Sequence, residues 1–260
     1  MDLQLRGRKA LVTGASKGIG REVARQLAAE GCDLVLAARS EDEMNAVRDE
    51  IAGRHNVSVA VVPTDLSVSE NQRALASGYP EIDVLVNNAG AIPGGRIDEI
   101  DEATWRAAWD LKVFGYINIT REFYALMKER GSGVIVNVIG NGGEAPSANY
   151  IAGAAGNAAL MAFTRALGGN SPADGVRVVG INPGPVLTER LDKLLRKSAA
   201  DRLGDAERWQ ELVDPFPFNR AATPEEIASM VAFLASDLSA YTSGTVVTID
   251  GGQVNRDALF

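Results

Sequence analysis

The amino-acid sequence predicts an α/β protein, a single doubly wound domain whose parallel sheet carries helices on both faces. Short aliphatic runs alternate with longer amphipathic stretches along the chain. The runs show little polar alternation, which is typical of strands buried on both faces. A chain of 260 residues, of which 46% are hydrophobic and 23% charged, is long enough for one such core.

Seven aliphatic runs are the predicted strands. They cover residues 10–13, 34–37, 57–62, 84–86, 134–138, 176–181 and 246–249. Apolar residues at helical spacing predict helices between them, over 19–31, 41–52, 102–128, 150–167 and 224–234. The last of these helices begins with Pro224 after Thr223, the order expected of an N-cap and a first turn. No linker or repeat interrupts the pattern, so we expect one domain over residues 1–260.

Residues 189–218 depart from this alternation. The stretch is charged, and its apolar side chains have no predicted strand left to cover. These side chains are Leu191, Leu194, Leu195, Leu203, Trp209, Leu212, Phe216 and Phe218. We interpret 189–218 as a helical lid inserted over a substrate pocket, with a surface excursion or a subunit contact as the alternative. Its Leu, Phe and Trp content would suit an apolar or aromatic substrate.

Charge and composition exclude several classes of function. Lys and Arg number 26 against 34 Asp and Glu, a net charge of −8, so neither nucleic acid nor an anionic membrane is an expected partner. Only Cys32 and His55 are available for a Cys/His metal site, so no metal is expected. A single Cys favours a reducing, cytoplasmic location. No apolar run approaches the ~18 residues of a membrane-spanning helix.

The first strand–helix junction carries a glycine-rich loop. The sequence between Gly14 and Gly20 reads GASKGIG. Glycine permits a tight turn and close approach of the backbone to a pyrophosphate, and the helix N-terminus presents free N–H groups to it. An ordinary turn is the alternative, but the strand–turn–helix context favours a dinucleotide site. Its predicted residues are Gly14, Ser16, Lys17, Gly18, Ile19 and Gly20.

The end of the second predicted strand indicates which dinucleotide binds. An acidic residue there would hydrogen-bond the ribose diol of NAD(H). The chain has Arg39 instead, and Lys17 supplies a second cation nearby. Both suit a 2′-phosphate, so we expect NADP(H) rather than NAD(H). A solvated surface charge is the alternative interpretation of Arg39.

Further motifs resemble those of the short-chain dehydrogenase/reductase family in its single-domain form. They are Asp65-Leu66, Asn87-Asn88-Ala89-Gly90, Tyr150, Asn182-Pro183-Gly184-Pro185-Val186-Leu187-Thr188, Ser243-Gly244 and Asp250-Gly251-Gly252. The resemblance implies a Rossmann-type seven-stranded sheet, a nicotinamide cofactor, a small-molecule substrate and a homo-oligomer, either a dimer or a tetramer.

The same resemblance assigns cofactor contacts after the third, fourth and sixth strands. It places Asp65 and Leu66 at the adenine end. It places Asn88, Ala89 and Gly90 along the cofactor, and Pro183, Gly184 and Thr188 near the nicotinamide.

The catalytic positions of the family are matched only in part. The resemblance implies a Tyr that exchanges the proton, a Ser that holds the substrate oxygen, a Lys that lowers the pKa of the Tyr, and an Asn that supports a water linked to the Lys. Tyr150 is present. Ala154 occupies the position expected for Lys, and Lys112 the position expected for Asn. The Ser position falls at Gly140 when aligned on the fifth strand, or near Asn137 when counted back from Tyr150.

These replacements favour reduction over oxidation. A Tyr with its ordinary pKa near 10 stays protonated at neutral pH, so it serves as an acid better than as a base. We therefore expect an NADP(H)-dependent reductase of a ketone or keto-acyl compound, with Tyr150 as proton donor. We hypothesise that Lys112 places its ammonium in the space left by Ala154. Asn141 is the candidate donor to the substrate oxygen.

Two alternatives to a reductase follow from the incomplete set of catalytic residues. The chain could bind a dinucleotide without turnover, as a sensor or a structural subunit. A non-redox reaction in the same pocket, such as a dehydration or an isomerisation, is the third option. Asn157, on the predicted helix after Tyr150, is a second candidate donor.

Overall fold

The computed structural model describes residues 2–256, and its strands form one parallel sheet. The seven strands within that range are Lys9–Thr13 (β1), Asp33–Ala38 (β2), Val59–Pro63 (β3), Val84–Asn87 (β4), Gly133–Val138 (β5), Val176–Pro183 (β6) and Val246–Ile249 (β7). Their order across the sheet is β3-β2-β1-β4-β5-β6-β7. Every neighbouring pair is parallel. The predicted Rossmann-type doubly wound sheet is confirmed.

Helices connect the strands and cover both faces of the sheet. They are Gly18–Ala29 (α1), Glu41–Ala52 (α2), Ser69–Gly78 (α3), Glu102–Trp109 (α4), Gly115–Arg130 (α5), Ile151–Asn170 (α6), Glu189–Leu203 (α7) and Pro224–Ala235 (α8). One apolar core joins α1, α2 and α8 to the sheet, and a second joins α3 and α5 to its other face. Alternate strand residues serve the two cores: Val12 belongs to the first and Leu11 to the second.

The helix predicted over residues 102–128 is interrupted. Its two parts, α4 and α5, are joined by one π-helical turn over Asp110–Phe114. A π-helical turn inserts an extra residue into a helix and is frequently found at functional sites. Lys112 lies at the centre of this turn, so the interruption sets the direction of its side chain.

The proposed lid segment is helical in its first half. Residues 189–218 begin with α7 and continue as a 3₁₀ turn over Ala206–Leu212, which packs on α7. The buried side chains of α7 are Leu195 and Ala199. In residues 2–256 no helix has the length and apolar character needed to span a membrane.

Candidate active site

A cleft of about 620 Å³ opens at the carboxyl ends of the central strands. It lies where the strand order reverses between β1 and β4, the place at which open α/β sheets bind ligands. Most residues expected from the sequence line it: Gly14, Ser16, Lys17, Gly18, Ile19, Arg39, Leu66, Asn88, Ala89, Gly90, Lys112, Asn141, Tyr150, Pro183, Gly184 and Thr188. The structure therefore brings residues from six strand ends to one site.

The glycine-rich loop forms a cradle that side chains would fill. Gly14 has a φ of +66°, and a Cβ on it would lie 2.9 Å from the Cα of Ala89. A Cβ on Gly20 would overlap the carbonyl oxygen of Gly14, so the loop can pack this closely against α1 only with glycine at position 20. No side chain caps the first turn of α1, which leaves its N–H groups available to a ligand. This cradle fits the pyrophosphate of a dinucleotide.

The adenosine end of the cleft carries three charged side chains, Lys17, Arg39 and Glu43. The sequence did not indicate Glu43. Arg39 is exposed at the end of β2 and forms no ion pair with any of residues 2–256. The ammonium of Lys17 lies 3.5 Å from the carboxylate of Glu43. A hydrogen bond from Ser16, and then the charge of Lys17, lower the pKa of Glu43. Arg39 is therefore the cation that is open to a 2′-phosphate.

Asp65 lies beside the cleft rather than in its lining. Its carboxylate accepts hydrogen bonds from the backbone N–H of Ser67 at 2.9 Å and from the Ser67 hydroxyl at 2.8 Å. These two bonds lower the pKa of Asp65. The neighbouring residues Thr64 and Leu66 line the cleft instead.

Tyr150 is the N-cap residue of α6, and its ring folds back over the first turn of that helix. A Cβ on Gly153 would lie 2.5 Å from Cε2 of the ring and would overlap Cζ. Burial raises the pKa of Tyr150, against a smaller opposing effect of the Arg190 charge. The hydroxyl group is therefore protonated at neutral pH.

Lys112 reaches from the π-helical turn to the end of β5. Its ammonium donates a hydrogen bond to the carbonyl oxygen of Ile139 at 2.6 Å. Its aliphatic chain crosses Gly90, where a Cβ would lie 2.8 Å from Cδ of the lysine. Burial, with a smaller contribution from Arg190, lowers the pKa of Lys112 to about 8. Within residues 2–256 no hydrogen bond joins Lys112 to Tyr150.

The helix register differs from the one counted from Tyr150. Ala154 is 4% exposed and does not line the cleft, so it is not the position from which a Lys would reach the site. Asn157 does line the cleft, and a Cβ on Gly140 would lie 2.9 Å from its Nδ2. The position at which the Lys112 hypothesis assumed a missing Lys is therefore Asn157 and not Ala154. Gly153 and Asn157 have the four-residue spacing that the family uses for Tyr and Lys.

The two candidate asparagines have different surroundings. The amide nitrogen of Asn141 donates to Asp250 and to Gln253, each at 3.3 Å. Asn157 is 2% exposed, and its Oδ1 has no hydrogen-bond partner among residues 2–256. A buried amide without a partner is costly, which points to a ligand group at Asn157 rather than at Asn141.

Arg190 is a cleft residue that the sequence did not reveal. It is the second residue of α7, and its Nη2 donates to the carbonyl oxygen of Ile92 at 2.8 Å. Of residues 189–218, only Glu189 and Arg190 line the cleft. The part of the proposed lid that faces the cleft is thus charged rather than apolar. The only signal in the sequence is the place of Arg190 two residues after Thr188, the last residue of the Pro183–Thr188 motif.

A doubly wound sheet, a phosphate cradle at its switch point and a protonated Tyr in the same cleft as two cations define a dinucleotide-binding protein. The sequence matches the family model described as short chain dehydrogenase over residues 8–199. The chain belongs to the short-chain dehydrogenase/reductase family.

Individual relatives cover almost the whole chain. Oxidoreductase UcpA of Salmonella typhimurium is 35% identical, over 98% of this chain and 98% of its own. NADPH-dependent reductase BacG of Bacillus subtilis is 31% identical, over 95% of this chain and 98% of its own. L-Sorbose reductase from Gluconobacter frateurii, solved with NADPH and L-sorbose, is 31% identical with a TM-score of 0.93, over 99% of this chain and 100% of its own.

Proposed function

We propose that the chain is an NADP(H)-dependent oxidoreductase that reduces the carbonyl group of a ketone or keto-acyl compound, with Tyr150 as proton donor. The observation that carries this proposal is the place of Tyr150 in the cleft, where burial raises its pKa and keeps its hydroxyl protonated. The NADPH-dependent reductase BacG and L-sorbose reductase, both similar along their whole length, support the same cofactor and the same direction of reaction.

The cofactor site is supported by the residues already described. The cradle of Gly14, Gly18 and Gly20 would hold the pyrophosphate, and Arg39 would meet the 2′-phosphate of NADP(H). NADPH, when bound, supplies the hydride. NAD(H) would leave Arg39 without a counter-charge.

The residues of this chain supply the proton and hold the developing charge. Tyr150 donates its hydroxyl proton to the carbonyl oxygen. Burial raises the pKa of Tyr150, and the positive charge of Arg190 offsets part of that rise, which favours the transfer. Nδ2 of Asn157 donates no hydrogen bond to residues 2–256, whereas Nδ2 of Asn141 is engaged by Asp250 and Gln253, so Asn157 is the better candidate donor to the substrate oxygen. Loss of one such donor costs ~10²–10³ in rate in other enzymes.

The proposal is tested by NADPH binding and NADPH consumption with a panel of aliphatic ketones, aromatic ketones, keto acids and keto esters. We expect at least one class to be reduced, and Tyr150→Phe to lose that activity while binding NADPH as tightly as the wild type. Equal consumption by the Tyr150→Phe variant would remove Tyr150 from the reaction.

A second candidate function is cofactor binding without turnover. It is favoured by the hydrogen bond of Lys112 to Ile139 rather than to Tyr150, and by Gly140 at the position expected for the substrate-binding Ser. The same panel decides between the two functions. Tight NADPH binding without consumption for every ketone would favour cofactor binding without turnover over the proposed reduction.

The assembly and the location of the protein are further proposals. We expect a dimer or tetramer, which light scattering of the purified chain tests. We expect a cytoplasmic location, which fractionation of the source cells tests.

A further inference from the structure

The lining of the cleft includes two cationic side chains that no carboxylate of residues 2–256 neutralises through an ion pair. Lys112 and Arg190 both line the cleft, and neither forms an ion pair with any residue between 2 and 256. The nearest carboxylate in sequence, that of Glu189, faces Arg21 at 3.6 Å. Because the whole chain has a net charge of −8, this local positive charge is not a reflection of a basic surface.

Arg190 lies on the Tyr150 side of the cleft. Its guanidinium donates to the carbonyl oxygen of Ile92, and Ile92 belongs to the same apolar cluster as the Tyr150 ring. Its charge acts on the pKa of both Tyr150 and Lys112. The guanidinium and the Tyr150 ring therefore both adjoin Ile92, on the same side of the cleft.

Both cations have donors left for a ligand. The ammonium of Lys112 uses one of its three N–H groups on Ile139, and the guanidinium of Arg190 uses one of five on Ile92. Two like charges in a partly buried site disfavour each other unless an anion lies between them. An anion of the substrate would satisfy the free donors and remove this repulsion.

We propose that Arg190 and Lys112 form an anion subsite beside Tyr150, and that the substrate is a keto acid whose carboxylate binds there. A guanidinium binds a carboxylate through two parallel hydrogen bonds, which would orient the neighbouring carbonyl toward the Tyr150 hydroxyl. The choice of a keto acid rests on the proposed reduction, whereas the binding of a carboxylate does not.

The test measures binding to the NADP⁺-saturated protein by calorimetry. Saturation with NADP⁺ fills the cofactor site before the acid is added, so the measurement does not include binding of the acid at the phosphate cradle. The ligands are short 2-oxo and 3-oxo carboxylates, each paired with its methyl ester. We expect one or more of the acids to bind about 10- to 100-fold more tightly than the matching ester, the range for charge-assisted hydrogen bonds.

Two variants with the same change of charge locate the subsite. Arg190→Gln should remove most of the preference for the acid and leave the affinity for the ester unchanged. Arg202→Gln, in the last turn of the same helix, should leave both affinities unchanged.

Two results would overturn the subsite: acids and esters that bind equally to the wild type, or an Arg202→Gln variant that loses as much acid affinity as Arg190→Gln. Turnover is recorded separately. Acids that bind but are not reduced would refute the proposed reduction and keep the subsite. Esters that are reduced as fast as the acids would keep the proposed reduction and refute the subsite.

Discussion

Replacing Gly153 with Ala should displace the Tyr150 ring while leaving helix α6 in place. The new Cβ would lie 2.5 Å from Cε2 of the ring and would overlap Cζ. Non-bonded carbons approach to about 3.5 Å, so the end of the ring has to move by about 1 Å or more. The ring is the outer end of a side chain, so it can swing away without a shift of the backbone.

A displacement of that size predicts a large effect on turnover and a small one on stability. A misplacement of about 1 Å can cost ~10²-fold in rate, within the ~10²–10⁴ that general acid catalysis supplies. Replacing Gly by Ala inside a helix contributes up to about 1 kcal/mol of stability, which offsets the ring contacts that are lost. We therefore expect kcat to fall about 100-fold at nearly unchanged free energy of unfolding.

The assay compares kcat and urea unfolding for Gly153→Ala, Tyr150→Phe and the double variant. If Gly153 acts through the position of the Tyr150 hydroxyl, the double variant will be no slower than Tyr150→Phe alone. Gly169→Ala is the matched control, since it lies on the same helix with no atom within 4 Å of the new Cβ. If the rate losses of the two single variants multiply in the double variant, Gly153 does not act through the position of the Tyr150 hydroxyl.

Three further predictions concern single substitutions. Arg39→Gln should weaken NADPH binding at least about tenfold and leave NADH binding unchanged, as titrations would show; an equal loss for both would remove Arg39 from the 2′-phosphate site. Gly140→Ser should not raise turnover, because its φ is +132° and its Cβ would lie 2.9 Å from Asn157; a faster variant would contradict that geometry. Lys112 loses its positive charge as pH rises through about 8, so acid affinity should fall there in the wild type but not in Lys112→Met.

Most of the fold could be predicted because its strands are apolar on both faces. The run at 34–37 became β2, Asp33–Ala38, and the helix at 41–52 has the predicted bounds. Helix α3 was not predicted, because its first five residues, Ser69 to Arg73, are polar and only Leu75 and Ala76 supply buried apolar side chains. The π-helical turn at Lys112 depends on tertiary packing, which a periodic pattern does not carry.

The site could be predicted where it follows strand ends, and not where it depends on the path of a helix. Gly14, Arg39 and Asn88 follow β1, β2 and β4 directly, so they meet at the switch point. Arg190 lies in the first turn of α7, and it lines the cleft because of the direction in which that helix leaves the sheet, which the sequence pattern does not indicate. Ala154 was assigned by counting four residues from Tyr150, but that Tyr precedes α6 as its cap, so its side chain reaches the cleft by folding back over Gly153.

The decisive measurement is the rate at which Tyr150→Phe reduces, with NADPH, the ketone of the panel that the wild type reduces fastest. We expect kcat to fall by about 10²-fold or more, because the proposed proton donor is gone, while the Kd for NADPH stays within a factor of about two. A Tyr150→Phe variant that keeps wild-type kcat would contradict the claim that Tyr150 is the acid of this active site.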